Sequence, residues 1–556
     1  MVRQQIQAAV VAAVQATRDL GSSALPAPPA VAVEVALGTQ PGDYFTDVAI
    51  QWAAMAPLEA RPLAERILAH LTAPSDLVAR AEATESGRLC FHLQPQVLEA
   101  AVAAALAQGS AYGRSDAGQG RSLQVEFVSA NPNAPLQIHH GRAAALGDVL
   151  ATLLEWNGWR VTREYYINDG VTGAQLQLLG QSLYARYRQL LGHDVALPEY
   201  GYSEEYVVEL ARAAIATEGD RYLALPEAEA VEAFTQLAVR EILAQQQAEL
   251  RAFGVEFDEW FSEAELHASG ALTRVIDQLR ANGYTYSANG ALWLRSTALG
   301  DEEDRVLIRH TGVPTYLAAD GAYHYNKHTR GFDRVIDILG PDHHSYAARV
   351  KALLQALGIS PDWLTILTHA AVRPIKGGAV VRTSRRAGEL IPLDDIVAEV
   401  GRDTARFLFL TCRADRLLNF DIDQARQQSR ENPAYAVQWA HARLCSLLRT
   451  ADTPPAQDAD PSLLGPAERG LLRCLLAFPG EVTAAAAALE PHRLAVFALG
   501  LADEIHAFCD DADARQPALP AVEAARRALA EAARIVLGNT LRIQGSAAPD
   551  GAEAAP

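Results

Sequence analysis

The chain is poor in the features that mark cross-linked, metal-stapled or membrane-bound proteins. Five cysteines, Cys90, Cys412, Cys445, Cys474 and Cys509, are scattered through 556 residues without a C-x-x-C pair. That excludes a disulfide frame and a zinc ribbon and fits a reducing compartment. Cations are outnumbered, 48 Lys and Arg against 67 Asp and Glu, for a net charge of -19. A surface coated for nucleic acid is thereby excluded, because affinity for phosphate backbones comes from clustered Lys and Arg, although a local basic face is not. No G-x-G-x-x-G follows a strand-like run, which leaves a nicotinamide dehydrogenase without support. No apolar run approaches the length needed to cross a bilayer, so no membrane association is expected. The start, Met1-Val-Arg-Gln-Gln-Ile6, leads into an amphipathic helix rather than a signal peptide, and the cytoplasm is the expected location.

What is present is an ordinary globular composition, 49% hydrophobic and 21% charged, at a length that calls for about two to four domains. Residues 1–107 read as a small α/β module, with Ile6, Val10, Val11 and Val14 at helical spacing. Residues 108–122, rich in Gly and Ser, read as a linker. Residues 123–402 form an α/β domain, with strand candidates at Leu123–Val128, Trp159–Ile167, Ala291–Leu294, Arg305–Ile308, Thr315–Leu317, Val335–Leu339 and Leu364–Ala370. Strands interleaved with helices predict a parallel sheet, and the charged stretch 178–265 reads as a helical insertion in it. Residues 403–545, dominated by Ala, Leu and Arg, predict an α-helical bundle. The tail 546–556 has too little apolar content to fold.

The most informative segment is Val125-Glu-Phe-Val-Ser-Ala-Asn-Pro-Asn-Ala-Pro-Leu-Gln-Ile-His-His-Gly-Arg142. An apolar strand breaks into Pro and Asn and then opens a helix on which Leu146, Val149, Leu150, Leu153 and Leu154 recur. A helix N-terminus carries unpaired N–H groups and a positive dipole end, so this turn, with His139, His140 and Arg142 around it, favours an anion. Capping or surface roles are the ordinary reading of paired histidines at such a place. Gly340-Pro-Asp342-His343-His344 follows another strand, at the carboxyl end where open α/β sheets bind ligands. Adjacent turn residues rarely converge on one ion, so no dedicated metal site is expected. From Trp363 to Gly388 there is no acid, while Arg373, Lys376, Arg382, Arg385 and Arg386 occur. A solvated loop is the bland reading of that run.

Taken in order, these motifs resemble those of class I aminoacyl-tRNA synthetases, and most closely the arginyl-tRNA synthetase family. Asn131-Pro-Asn-Ala-Pro-Leu-Gln-Ile-His-His-Gly-Arg142 is similar to that family's N-P-N/T-x-P-L-H-V-G-H-G-R, with Gln137 in place of the first His and His139 in place of the Gly. Val381-Arg-Thr-Ser-Arg-Arg-Ala-Gly388, upstream of Asp403-Thr-Ala-Arg-Phe407, resembles the second signature loop and its D-A-x-R-F helix, with arginines for lysines. The lysine that some members carry after the Asn-Pro run is replaced by Ala134. Tyr165-Tyr-Ile-Asn-Asp169 matches the strand after the first helix, and Gly170-Val-Thr-Gly173 departs from the usual continuation. Glu431 to Arg443 and Leu537 to Gly545 are similar to segments of the family's anticodon-binding bundle.

The resemblance implies a Rossmann-like parallel-sheet catalytic domain between an N-terminal module that contacts tRNA and a helical anticodon-binding domain. It implies ligation of L-arginine to tRNA(Arg) through an arginyl-adenylate, using ATP with Mg²⁺, by a monomer. His140, Arg382, Ser384 and Arg385 take the catalytic positions. Gln137, His139, His140, Gly141, Asp342, His343, His344, Arg382 and Arg385 hold ATP. Glu126, Asn131, Tyr316 and Asp320 hold arginine, whose guanidinium fork suits carboxylates. An acid within an apolar run such as Glu126 needs a partner if buried; an edge-strand surface carboxylate is the alternative. Tyr435, Trp439 and Arg443, spaced on one helix face, take the anticodon, since single-stranded RNA is read by stacking; core packing is the commoner use of such a pair. The altered signatures leave a second reading, a paralogue that binds RNA or arginine without charging tRNA or that passes arginine to an unusual acceptor.

Overall fold

A computed structural model describes residues 2–20, 26–36, 40–55, 58–170, 174–341, 346–381, 391–449, 459–514 and 519–550. It divides into two compact units: Asp116–Arg426, and Met1–Ser115 together with Gln427–Pro556.

The unit 116–426 is built on five parallel strands: β1 (Ser122–Glu126), β2 (Arg160–Ile167), β3 (Glu259–Ser262), β4 (Arg334–Leu339) and β5 (Leu364–Thr368), in spatial order β5-β4-β1-β2-β3. The order reverses at β1, which places a topological switch point between β1 and β4, at whose carboxyl end such sheets bind ligands. Alternation along β1 sends its side chains to both faces. Phe127 packs toward helix α1 (Ile138–Trp156), so closely that a methyl on Gly147 would stand 2.1 Å from the Phe127 ring. Glu126 faces the opposite side, toward helix α3 (Tyr316–Thr329). Helices on both faces explain why β1 and β4 are almost wholly buried.

The insertion forms three helices, Ala174–Leu190, Glu205–Glu218 and α2 (Glu227–Ala252), around Leu183, Tyr187 and Phe234. The helical pattern expected to 265 gives way at Glu259–Ser262 to the edge strand β3, whose Trp260 stacks on Tyr165 at 4.4 Å. Two other expectations are corrected. Ala291–Leu294 and Arg305–Ile308 do not join the parallel sheet; with Thr285–Ala288 they form a separate antiparallel sheet, because Asn289-Gly290, both at positive φ, make a tight hairpin turn. Thr315–Leu317 is not a strand: Thr315 is the extended N-cap of α3, and its hydroxyl donates to Val306 O at 2.8 Å. Helix α4 (Arg402–Phe409) packs on α1 through the buried Arg406, which donates to Asp148 at 2.5 Å and to the carbonyl of Phe253.

In the other unit, the segments Glu34–Val35, Tyr44–Thr46, Leu89–Leu93 and Val78–Ala83 form an antiparallel sheet in that spatial order, with helices Val2–Leu20 and Pro95–Gln108. The helical part comprises α5 (Pro433–Arg449), Arg469–Ala488, His492–Ala514 and Pro520–Ile543. Arg469–Ala488 is long and apolar enough to cross a bilayer, contrary to the expectation that no stretch is. Its Leu471, Leu475, Phe478 and Val482 are buried among the other helices, so the composition is that of a core helix. Within the expected linker, Tyr112 is buried on Phe478 and donates to Leu475 O at 2.9 Å. In the expected unstructured tail, the carbonyls of Ala547 and Pro549 accept hydrogen bonds from Gln438 and His441.

Candidate active site

At the end of β1 the chain turns through Val128 and Ser129, at φ of 68° and 40°. A β-branched residue in the left-handed region is strained, and the surroundings must hold it there. The Ser129 hydroxyl does so from both sides, donating to Glu126 Oε1 at 3.0 Å and accepting from Tyr166 N–H at 3.1 Å. Helix α2 of the insertion grips the next residues: Gln246 Nε2 donates to the carbonyls of Asn131 and Ala134, and Glu249 accepts from Leu136 N–H at 2.9 Å. Burial, against that hydrogen bond, pushes the Glu249 carboxyl up to about 7.

Helix α1 then starts. The Gln137 N–H donates to His140 Nδ1 at 2.9 Å, so a neutral His140 carries its proton on Nε2, and Gln137 Nε2 donates to Pro135 O. The rings of His139 and His140 lie 4.0 Å apart, His139 exposed and His140 half-buried. The expectation for Arg142 is corrected. It is wholly buried, and its guanidinium donates to Ala370 O at 2.8 Å and Arg413 O at 2.9 Å. Gly141 faces the helix packing, where a methyl would stand 2.5 Å from Leu393 Cδ1 and 3.0 Å from Phe409. His369, just past β5, was not among the expected residues. Burial, with the positive charge of Arg142 and the nearby His139, holds its imidazole down to about 4, hence neutral at physiological pH.

The arginine candidates lie on the other side of β1. Sheet register aligns Glu164 of β2, Glu126 of β1 and Asp337 of β4 in one row, and α3 supplies the counter-charges. Lys327 Nζ donates to Glu126 Oε2 at 2.5 Å and Asp337 Oδ1 at 2.8 Å, His324 Nε2 meets Asp337 Oδ2 at 2.7 Å, and Tyr323 and Arg330 donate to Glu164. Burial opposes ionisation of Asp337, but Lys327 and His324 outweigh it and hold the carboxyl down to about 2. At Glu126, burial and the neighbouring Asp337 push the carboxyl up against the pull of Lys327.

Two turns toward the N-terminus of α3, Asp320 is half-buried, hydrogen-bonded to Tyr346, and pushed up to about 6 by burial. Tyr316, one turn further, is 77% exposed. Asn131 is exposed at the turn. Glu263, at the end of β3, adds negative potential at both Asp320 and Tyr166. Sequence reasoning missed it because it sat within the stretch read as a helical insertion. Glu126, Asp320 and Glu263 thus form an acidic wall beside the switch point, suited to a guanidinium.

In the second unit, Tyr435, Trp439 and Arg443 do share one face of α5. The two rings lie 6.3 Å apart, Arg443 and Arg430 stand 5.4 and 5.1 Å over the half-buried Trp439, and His506 packs against it. Arg443 is held by Asp510 at 2.6 Å. Asp342, His343, His344, Arg382, Ser384 and Arg385 lie outside the described residues.

A strand-turn-helix at the switch point of a five-stranded parallel sheet, an acidic cluster across β1 from it and a separate helical bundle fit a class I tRNA synthetase, and the family comparison shows that class. The family described as tRNA synthetases class I (R), catalytic domain, matches residues 101–432, and the DALR anticodon binding domain matches residues 437–551. The arginine–tRNA ligase of Heliobacterium modesticaldum is 44% identical over 566 residues, covering 99% of both chains. That of Moorella thermoacetica is 43% identical, covering 99% of this chain and 98% of its own. The chain belongs to the arginyl-tRNA synthetase family. The solved arginyl-tRNA synthetase of Thermus thermophilus, 22% identical, shares the fold with a TM-score of 0.71 over 99% of this chain and 100% of its own. None of these similarities favours a paralogue that has lost the reaction.

Proposed function

We infer that the chain ligates L-arginine to tRNA(Arg) at the expense of ATP. The observation that carries this reading is the acidic wall of Glu126, Asp320 and Glu263 at the carboxyl end of β1, next to the positive end of α1. A cationic amino acid and a polyphosphate would be drawn to adjacent places. In this reading Asp320 and Tyr316 take the guanidinium, and Glu126 and Asn131 take the α-ammonium end. The arginine carboxylate attacks the α-phosphorus of ATP and pyrophosphate leaves; the terminal ribose 2′-hydroxyl of tRNA then attacks the adenylate carbonyl and releases AMP.

His140, donating from Nε2, would stabilise the phosphate oxygens, with Gln137, His139 and Gly141 forming the rest of the turn. Asp342, His343 and His344 would border the nucleotide, and Arg382, Ser384 and Arg385 would supply donors and charge from the loop. Mg²⁺ would arrive on the phosphates and neutralise them. Tyr435, Trp439 and Arg443 would receive the anticodon. The enzyme would act as a monomer in the cytoplasm.

Pyrophosphate exchange dependent on arginine and ATP, measured with and without tRNA, tests the reading. Exchange in at least one condition, with lysine inert, is expected. No exchange in either would overturn it.

A further inference from the structure

Lys327 is a buried cation that the reaction as described does not use. It comes from α3, 201 residues after Glu126 in sequence, and its side chain is inaccessible to solvent. Its ammonium lies 4.3 Å from the Tyr323 ring centre and divides two hydrogen bonds between register partners of adjacent strands, Glu126 and Asp337. Two carboxylates that face one another across a parallel ladder repel, and in a buried site one of them would take up a proton. The titratable groups around Glu126 are Lys327, Asp320 and Tyr323 from α3, Asp337 from β4, Glu164 and Tyr166 from β2, and Tyr346. Of the cations, His324 is committed to Asp337 and Arg330 to Glu164. Among the described residues only Lys327 is hydrogen-bonded to Glu126 as a counter-ion.

The two oxygens of Glu126 are therefore clamped differently: Oε1 by the Ser129 hydroxyl at the strained turn, Oε2 by Lys327. Its side chain retains 8% exposure, at the carboxyl end of β1. A buried ion pair seldom repays its desolvation as stability, and apolar side chains of similar volume in place of all its members would fill the same space at no charge cost. What the ammonium supplies that a methionine would not is a hydrogen bond that fixes Glu126 Oε2 and a charge that favours its ionised form. We propose that Lys327 is a positioning residue for arginine binding, holding the Glu126 carboxylate in the place and charge state with which it receives the substrate's cation. The proposal rests on the reading that Glu126 contacts arginine.

The test uses the full chain with tRNA present and compares Lys327→Met, Glu126→Gln and the double variant in arginine-dependent pyrophosphate exchange. For Lys327→Met the arginine KM rises about 10- to 100-fold, the loss expected for a charge-assisted hydrogen bond, while the ATP KM stays within about twofold. The double variant is no worse than Glu126→Gln alone, since the lysine acts through that carboxylate. This last comparison stands even if the single lysine variant does not fold, because the double variant leaves no unpaired Glu126 charge.

An unchanged arginine KM in Lys327→Met, a parallel rise in both KM values or additive losses would each overturn the proposal. If Glu126→Gln itself leaves the arginine KM unchanged, the underlying reading of Glu126 falls instead.

Discussion

Arg142 offers a quantitative check on how the first helix is tied to the rest of its unit. Its guanidinium donates to Ala370 O at 2.8 Å and Arg413 O at 2.9 Å, with longer contacts to Ala371 O and Cys412 Sγ. Arg142→Met fills the same volume and removes the charge. The two strong bonds involve an ionised donor, worth about 1.5–3 kcal/mol each, and the carbonyls left behind belong to the half-buried Ala370 and the exposed Arg413, where water takes over part of the bonding. Removing the cation also ends its own desolvation, the burial that lowers the Arg142 pKa. The net loss should therefore be about 2–4 kcal/mol, below the simple sum.

Arg142→Lys keeps one point charge but cannot span both carbonyls with a fixed fork, so about half of that loss is expected. Because the chain has two units, a single unfolding free energy is the wrong measure. Hydrogen exchange of the amides in β5 and in Val372–Lys376, read against the helices of the other unit, isolates the effect. Exchange in those strands should quicken by roughly 30- to 1,000-fold in Arg142→Met, while the other unit is unchanged. Protection within about threefold of the parent would refute the idea that this buried cation staples the segment before the second signature loop.

Asp320 is pushed up to about 6 from an ordinary 3.8. The arginine KM should therefore rise as pH falls below about 6, where the acid loses its charge, and Asp320→Asn should show that weak binding at every pH; a KM independent of pH from 5 to 8 in the parent would contradict this. The stability sign is opposite: the native state holds this proton more tightly than the unfolded chain, so stability is lost as pH rises from about 4 to 6. Asp320→Asn should accordingly melt no lower than the parent at pH 7. Val128→Gly removes a strained φ of 68° worth about 1–3 kcal/mol against a glycine cost of about 0.5–1 kcal/mol, so the melting point should rise slightly; a fall would contradict the strain. Trp439→Ala should raise the tRNA KM about 5- to 100-fold and leave the arginine KM alone, and equal effects on both would argue for a folding defect.

Much of the local structure was legible because it is local. The apolar run at Leu123–Val125 and the helical spacing from Leu146 to Leu154 are patterns a few residues long, and both became the elements they predicted. Asn289-Gly290 was an equally local hairpin signal, and passing over it misplaced two strands into the wrong sheet. The strand expected at Thr315–Leu317 failed because short β-favouring runs also serve as helix entries: Thr315 is extended, and α3 begins at the next residue. Glu263 and His369 carried no signal of their own; only the fold brings them toward the acidic wall and His139.

By itself the sequence determined the class of fold and the order of its motifs, since periodicity and turn chemistry act over a handful of bonds, although α1 begins at Ile138, ahead of the spacing read from Ala143 onward. Tertiary structure alone decided which charges serve whom. Arg142 looked like an anion ligand and binds carbonyls 228 and 271 residues away, while Glu126 looked solitary and is held by a lysine 201 residues away. Electrostatic partners meet through sheet register and helix packing, and the Coulomb energy that rules a buried site depends on that separation in space, which distance along the chain does not contain.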